Sequence, residues 1–258
     1  MAKLRLSKNP FKTLFFFWFA ATNVFMLLVF YPFLLYTLKH PKTYPIAHKI
    51  RRIWVSCVLF LCCIKVKQTN ECVLDKSKPY IIVPNHQSRL DIFTLIKNLD
   101  LDFSFMAMAE FKKIPLYGIW FRTIDIAVDR TNTQKAANAY RKAFNFLNTG
   151  RSLVIFPEAT INKTSPQLSD FKDGPFRLAI EKQVDILPVT FLNNYLLMPD
   201  KGKYEFKPGC ASQIIHKPIS TLNLTLNDVS ALKEKVYRII ETKLIEHGNY
   251  NRNHQQIS

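Results

Sequence analysis

Short apolar runs alternate with amphipathic stretches from about residue 79 onward. The apolar runs predict strands at 80–83, 103–108, 124–128, 152–156 and 186–191. The amphipathic stretches predict helices at 89–99, 112–122, 133–148 and 175–183. Weaker strands are expected near 203–207 and 212–217, before a last helix over 226–247. This alternation predicts an α/β fold with a mixed, largely parallel sheet flanked by helices.

The first 68 residues have a different pattern. No charged residue occurs between Lys12 and Lys39, and a helix crossing a bilayer core needs about 20 apolar residues. Pro32 is expected to kink this segment. A second apolar run, at 53–64, is short for a span and suits the membrane interface or a re-entrant hairpin. We therefore predict membrane-anchoring helices over 1–68, an α/β domain over 69–248 and a polar tail over 249–258.

Two readings of this N-terminal segment stay open on the sequence. It is either a single membrane span or a hairpin that dips into one leaflet. A buried helical hairpin in a soluble protein is the alternative to both.

The charge distribution supports a membrane partner. The chain has 36 Lys and Arg and 19 Asp and Glu, a net charge of +17, and no acidic residue precedes Glu71. The basic residues flank both apolar runs, which favours an anionic leaflet and a cytoplasmic orientation. Aromatic and basic residues do not alternate along the predicted sheet, so we expect membrane lipids rather than nucleic acid as partners.

Several common catalytic classes lack their sequence signatures. The six glycines form neither a G-x-G dinucleotide fingerprint nor a Walker A loop. The sequence contains no G-x-S-x-G elbow and no H-E-x-x-H helix. The five cysteines have no zinc spacing. We therefore expect no metal and no resident cofactor.

The stretch PNHQSRLD at 84–91 follows a predicted buried strand and allows two interpretations. In the first, Ser88 and Asp91 form a capping box that begins a helix. In the second, Asp91 orients His86, and the neutral imidazole acts as a general base. Residues five apart in one helix point about 140° apart, so His86 can meet Asp91 only if the chain bends between them. A cap at Ser88 would supply that bend, so the two interpretations are compatible.

Two further clusters contain candidate binding residues. Glu158 lies in FPEAT at 156–160, where it would bond either a polar substrate, the His86 region or nearby backbone amides. Basic residues would hold a phosphate if they converge at the strand ends, although each one alone is more typical of a solvated surface. They are Lys112, Lys113, Arg122, Arg130 and Lys172.

These segments together resemble a known family. Residues 86–91 are similar to the HxxxxD block of the glycerolipid acyltransferases, the 1-acyl-sn-glycerol-3-phosphate acyltransferase group. Similar blocks follow in the same order: KKIPLYG at 112–118 with IAVDR at 126–130, FPEAT at 156–160, FKDGPFRLA at 171–179 and ILPVTF at 186–191. HxxxxD alone is unspecific, whereas five ordered blocks over about residues 80–191 are a specific signal.

The resemblance implies transfer of an acyl group from acyl-CoA or acyl-carrier protein to the sn-2 hydroxyl of 1-acyl-sn-glycerol-3-phosphate, giving phosphatidic acid. These acyl carriers are co-substrates. By the same resemblance, His86 would deprotonate the acceptor hydroxyl and Asp91 would orient His86. The implied acceptor-binding residues are Lys112, Lys113, Arg130, Glu158 and Thr160.

The third block departs from the family pattern. It usually reads FPEGTR, whereas here Ala159 replaces the glycine and Ile161 replaces the arginine. That arginine would contact phosphate, so another lysophospholipid or an amino-acid-linked lysolipid is an alternative acceptor. A basic membrane-surface or RNA-binding protein is the non-enzyme alternative, which explains the charge and leaves the ordered blocks unexplained.

Overall fold

The centre of the fold is a seven-stranded sheet. The computed structural model describes residues 5–129, 132–200 and 202–248. The strands of this sheet are β2 (Ile64–Asn70), β3 (Ile81–Pro84), β4 (Phe103–Met108), β5 (Ile126–Val128), β6 (Ser152–Val154), β7 (Ile186–Phe191) and β9 (Gly209–Ile215). A separate pair joins β1 (Arg5–Leu6) to β8 (Lys203–Tyr204).

The strand order is β2-β9-β7-β3-β6-β4-β5, which places β3 in the middle. The five strands from β7 to β5 are mutually parallel, β9 is antiparallel to β7, and β2 is parallel to β9. The predicted mixed, largely parallel sheet is therefore confirmed. Every residue of β3 and β7 is buried, as expected for central strands that are covered on both faces.

Helices cover both faces of the sheet. They are α1 (Pro10–Thr37), α2 (Tyr44–Leu61), α3 (Leu90–Asn98), α4 (Gly118–Thr123), α5 (Thr133–Leu147), α6 (Gly174–Lys182), α7 (Asn194–Leu197) and α8 (Val229–Glu246). Ile82 belongs to the apolar core on the α1–α4 face, whereas Ile81 and Val83 belong to the core with α5, α6 and α8. Successive residues of β3 thus enter opposite cores, as the pleat requires.

The helices α1 and α2 form an antiparallel hairpin. The Trp18 indole donates to the carbonyl of Leu61 (3.0 Å), and the Trp54 indole donates to the carbonyl of Asn23 (3.4 Å). By length and composition alone, α1 is a candidate membrane span, and only 17% of its apolar window is buried. It continues as one helix through Pro32.

The second helix is longer than the predicted apolar run at 53–64. It begins at Tyr44, and its buried face includes Ala47, His48 and Arg51. The apolar run at 53–64 does not include the first half of α2, because two of the buried residues there, His48 and Arg51, are polar. An α2 of this length packs on the α/β domain.

Three other expectations need correction. Strand β2 crosses the predicted domain boundary at 68/69, because its first residues pair with β9. The predicted helix at 112–122 is instead a 3₁₀ helix (Ala109–Lys113) followed by α4. Pro115, which has no amide hydrogen, and Leu116 at φ +65° interrupt it. The predicted strand at 203–207 is only Lys203–Tyr204, and the one at 212–217 begins at Gly209.

The last helix agrees with its prediction. Thr225 and Asp228 form a capping box around a 3₁₀ turn, and α8 follows directly. The predicted polar tail over 249–258 lies outside the described residues.

Candidate active site

The site lies where β3 ends, at the middle of the sheet. Register places Pro84 of β3 opposite Val189 of β7, and Ile82 opposite Val154 of β6. The turn after β3 (residues 85–89) therefore meets the segments that follow β6 and β7. Carboxyl ends of parallel strands are the usual place for active sites in such sheets.

His86 and Asp91 form a hydrogen-bonded pair. The Nδ1 of His86 lies 3.0 Å from Oδ2 of Asp91. The same oxygen accepts the backbone N–H groups of Gln87 (2.7 Å) and Ser88 (2.9 Å). An oxygen with three such neighbours is an acceptor, so Nδ1 of His86 donates and Nε2 is the unprotonated nitrogen of the neutral ring. Among the described residues none hydrogen-bonds Nε2, which leaves its lone pair for a substrate proton.

The same turn is also a helix cap. The Ser88 hydroxyl accepts the N–H of Leu90 (3.1 Å), and the Asp91 carboxylate accepts the N–H of Ser88. Helix α3 begins at Leu90, so His86 precedes the helix and Asp91 lies in its first turn. The Asp91 half of the predicted capping box is therefore present together with the His86–Asp91 pair, while the Ser88 hydroxyl bonds Leu90 instead of the N–H of Asp91.

The His86 ring has a fixed environment. It stacks on Phe156, with ring centroids 3.9 Å apart and planes 24° apart. The backbone carbonyl of His86 accepts the N–H of Asn162 (2.9 Å), and the backbone N–H of His86 donates to Oε1 of Glu158 (2.8 Å). The His86 side chain is 12% exposed and that of Asp91 is fully buried. The imidazole therefore reaches the surface while its partner is shielded from water.

Glu158 is a buried carboxylate bonded by protein donors. Its second oxygen accepts the side chain of Asn162 (3.0 Å) and the N–H of Ser169 (2.9 Å). Burial raises the pKa of Glu158, and these donors with the N–H of His86 partly oppose that rise. Glu158 thus bonds the His86 region and a nearby backbone amide, which are two of the three kinds of partner that the sequence suggested. Its contact with an acceptor stays a prediction.

Three of the predicted acceptor-binding residues lie on exposed surface. Lys112 and Lys113 are exposed at the end of their 3₁₀ helix, and Thr160 is exposed after β6. A Cβ added to Gly118 would lie 2.4 Å from the carbonyl oxygen of Lys112, so only glycine fits this turn. Arg130 lies outside the described residues. The phosphate-binding roles of these residues stay predictions.

The departures in the third block have a structural context. Ala159 has a φ of +67°, in the left-handed region that favours glycine. This explains physically why a glycine suits the position. Ile161 is half-buried two residues later and has no group that can bond a phosphate.

Two buried amides hold this site, and neither was among the residues to which the sequence assigned a role. Asn194 donates to Oδ1 of Asp91 (2.7 Å). Asn85 accepts the N–H of Phe191 (2.7 Å) and donates to the carbonyl of the same residue (3.1 Å), which joins the turn to β7. Asn85 could have been suspected from its place beside His86. No local pattern distinguishes Asn194.

Comparison with known proteins identifies the family of this chain. The family model described as Acyltransferase matches residues 65–192. A 1-acyl-sn-glycerol-3-phosphate acyltransferase of Saccharomyces cerevisiae is 37% identical over 163 residues, 62% of this chain and 53% of that protein. The alpha 1-acyl-sn-glycerol-3-phosphate acyltransferase of Homo sapiens is 30% identical over 191 residues, 73% of this chain and 66% of that protein.

The fold also has a solved counterpart. The crystal structure of a 1-acyl-sn-glycerophosphate acyltransferase from Thermotoga maritima matches with a TM-score of 0.77, covering 95% of this chain and 98% of that one. At 23% identity this likeness shows the fold alone. Several curated relatives are longer, and the chain spans about half of their length, from 42% to 54%. The chain belongs to the Acyltransferase family, in the group of the 1-acyl-sn-glycerol-3-phosphate acyltransferases.

Proposed function

We propose that this protein is a membrane-bound O-acyltransferase that converts 1-acyl-sn-glycerol-3-phosphate to phosphatidic acid in phospholipid biosynthesis. The acyl donor is acyl-CoA or acyl-carrier protein. One observation carries the proposal: the His86–Asp91 pair, with Nε2 of His86 free of described partners, in a chain whose relatives are named for this reaction.

The chemistry follows from the orientation of the imidazole. Nε2 of His86 takes the proton of the acceptor hydroxyl while that oxygen attacks the thioester carbonyl carbon. The C–O bond forms, the C–S bond breaks, and the imidazolium returns its proton to the leaving thiolate. The Asp91 carboxylate stabilises the transient imidazolium through Nδ1. The acceptor is the nucleophile, so no acyl-enzyme forms.

Asp91 can stabilise the imidazolium because hydrogen bonds from the protein backbone hold its carboxylate in position. Two backbone N–H groups fix Oδ2, and complete burial keeps water away from the Asp91 carboxylate. In a low-dielectric setting a carboxylate stabilises a nearby cation more strongly than in water. Glu158 contributes indirectly, because it binds the N–H of His86 and so fixes the backbone that carries the base.

The acceptor phosphate is assigned to the basic residues of the second block. Lys112 and Lys113 present exposed ammonium groups, and Arg130 follows β5 in the chain. Arginine and lysine bind phosphate through charge-assisted hydrogen bonds. Thr160 and Glu158 complete the proposed acceptor site.

The membrane contact is assigned to the outward face of the α1–α2 hairpin. This face exposes large apolar side chains, among them Phe25 (59%), Phe33 (60%) and Phe60 (79%). Exposed apolar surface of this size is typical of contact with lipid. The trend for Lys and Arg to lie on the cytoplasmic side supports a catalytic domain on the cytoplasmic face. Both lipid substrates would then reach the site from one leaflet.

The decisive experiment is an acceptor panel. Purified protein in detergent receives an acyl-CoA or, in a parallel series, an acyl-carrier-protein thioester. Each donor is tested with one acceptor at a time, either 1-acyl-sn-glycerol-3-phosphate or an uncharged or differently charged lysolipid. We expect transfer to the phosphate-bearing acceptor. His86→Ala should lose at least the 10²- to 10⁴-fold that a general base contributes, with vesicle binding unchanged.

His247→Ala is the matched control, because His247 is an exposed histidine at the end of α8. It should keep wild-type activity. An active His86→Ala variant would refute the mechanism, and wild-type protein inert toward every acceptor with either donor would refute the function.

A second candidate acceptor is favoured by one observation. Ile161 stands where the family pattern has a phosphate-binding arginine. If the acceptor is a lysophospholipid with a larger headgroup, that lipid should give the highest kcat/KM in the panel. Ile161→Arg should then shift the preference toward 1-acyl-sn-glycerol-3-phosphate.

A further inference from the structure

Asn194 is a buried amide that meets the dyad from the far side of Asp91. It is the first residue of α7, directly after β7, and is completely buried. Its Nδ2 donates to Oδ1 of Asp91 (2.7 Å) and to the hydroxyl of Thr94 (3.1 Å). Asn194 lies outside residues 65–192, which the family model matches.

The two oxygens of Asp91 have different surroundings. Oδ2 has three donors, from His86, Gln87 and Ser88, all in the adjacent turn. The hydrogen bond described for Oδ1 comes from Asn194. The last torsion of an aspartate is soft, so donors on one oxygen alone leave the carboxylate plane poorly defined. A donor on the opposite oxygen fixes that plane and keeps Oδ2 aimed at the imidazole.

The orientation of the Asn194 amide is determined by the carboxylate. If the amide were flipped, its oxygen would face Oδ1 of Asp91, and two acceptors would meet. In the observed orientation, Oδ1 of Asn194 is buried and has no hydrogen-bond partner among the described residues. The Asn194 side chain therefore donates a hydrogen bond to the Asp91 carboxylate while its own oxygen stays unpaired. This arrangement fits a residue whose role is to hold Asp91 in place.

The segment that carries Asn194 is anchored at both ends. On one side, Asn193 accepts the N–H of Ser212 (2.8 Å) and donates to the carbonyl of Cys210 (2.9 Å), which ties it to β9. On the other side, the Ser88 hydroxyl donates to the carbonyl of Met198 (2.6 Å). The segment thus joins the antiparallel strand β9 to the turn that holds His86.

We propose that Asn194 is a positioning residue of the reaction, which acts on His86 through Asp91. The inference rests on the proposed function, because it needs the dyad to be the catalytic base. It assigns a role to the link between β7 and β9 that no sequence block predicted.

The first test separates positioning from simple loss of packing. In the acyl-transfer assay, Asn194→Ala should lower kcat by about 10- to 100-fold and leave KM for both substrates within about threefold. Asn98→Ala is the matched control, because Asn98 ends the same helix as Asp91 and bonds the carbonyl of Val66 (3.1 Å) away from the dyad. It should keep wild-type kcat.

A double-mutant cycle tests whether the effect passes through Asp91. With Asp91→Ala already present, adding Asn194→Ala should change kcat by less than twofold, because the carboxylate it orients is gone. Full additivity of the two losses would overturn the proposal. If Asn194→Ala does not fold, Asn194→Thr takes its place in the cycle.

The outcomes also separate this inference from the proposed function. Wild-type protein that transfers no acyl group refutes the function itself. An active wild type whose Asn194→Ala variant keeps kcat within twofold refutes only the role of Asn194.

Discussion

Removal of the Arg51 guanidinium should strongly destabilise the fold, because Arg51 joins the α1–α2 hairpin to the sheet. Its Nη1 lies 3.0 and 3.2 Å from the two oxygens of Asp125, and its Nη2 donates to the carbonyl of Phe103 (3.0 Å). The guanidinium also lies 5.0 Å from the ring centroid of Trp120. The side chains of Arg51 and Asp125 are only 3% and 4% exposed.

The expected magnitude follows from this burial. Arg51→Met keeps much of the apolar volume but leaves the Asp125 carboxylate buried without its cation. Breaking a buried pair in this way costs about 3–5 kcal/mol. For a domain of this size, each kcal/mol corresponds to roughly 2–4 °C in Tm, so the expected loss is roughly 6–20 °C.

A double-mutant cycle is the assay. Tm is followed by tryptophan fluorescence in detergent, because Trp54 and Trp120 stack near the pair with centroids 6.4 Å apart. Asp125→Asn keeps an acceptor for the N–H of Phe105, which Oδ1 of Asp125 binds at 2.9 Å. The double variant Arg51→Met/Asp125→Asn should therefore lose less stability than the sum of the two single variants.

The neighbouring residue provides the control. Arg52 pairs with Asp100 at 2.9 Å, but their side chains are 28% and 64% exposed. Exposed pairs contribute about 0–1 kcal/mol, so Arg52→Met should have a small effect. Equal losses for Arg51→Met and Arg52→Met, or strict additivity in the cycle, would refute the reasoning from burial.

Three further predictions concern the turns and the pH response. Gly118→Ala should lower the free energy of unfolding by about 1–3 kcal/mol and reduce kcat/KM, because the added Cβ would collide with the carbonyl of Lys112. Gly174→Ala is the control: the space around Gly174 is open, so this variant should change neither quantity much. Ala159→Gly should raise the free energy of unfolding by up to about 1 kcal/mol, because φ is +67° there, and Ala159→Val should lower it; a stabilising valine would contradict the strain. Burial, and after it the charges of nearby arginines, hold the pKa of His48 well below 6.5. Below about pH 6.5 the unfolded chain therefore binds a proton at His48 that the folded chain does not bind. The free energy of unfolding should then fall as pH drops, by up to about 1.4 kcal/mol per pH unit. His48→Gln should reduce this acid-induced loss of Tm, and an unchanged pH profile would show that another group causes it.

The central strands could be predicted because of where they lie. Strands β3 and β7 are covered on both faces, so they appear in the sequence as uninterrupted apolar runs, and β7 has the predicted bounds 186–191. The edge strand β2 was missed because it has only two apolar residues, Ile64 and Val66, which alternate with lysines before a polar end. Edge strands pair on one side only and need less apolar sequence.

Part of the site was equally predictable. His86 and Asp91 are five residues apart, and the bend that brings them together comes from a cap within the same turn. Local hydrogen bonds of this kind depend on residue type and spacing, which the sequence displays directly. The same holds for the capping box before α8.

The remaining support of the site comes from distant residues. Glu158 reaches the N–H of His86 from 72 residues away, and Asn194 reaches Asp91 from 103 residues away. Such contacts exist only because β6 and β7 pair on either side of β3. Single-chain patterns contain no signal for which buried amide meets which carboxylate.

Local spacing and ordered blocks in the sequence were enough to predict the fold class, the apolar N-terminal helix, the turn that pairs His86 with Asp91, and the family. The tertiary structure alone decided how α2 packs, through the buried Arg51–Asp125 pair, and how the second oxygen of Asp91 is held. The first depends on where α2 lies against β4 and the residue before β5, and the second depends on the order of β9, β7 and β3 in the sheet. Charge pairing and hydrogen bonding in the interior are non-local, and only the folded chain brings these partners together.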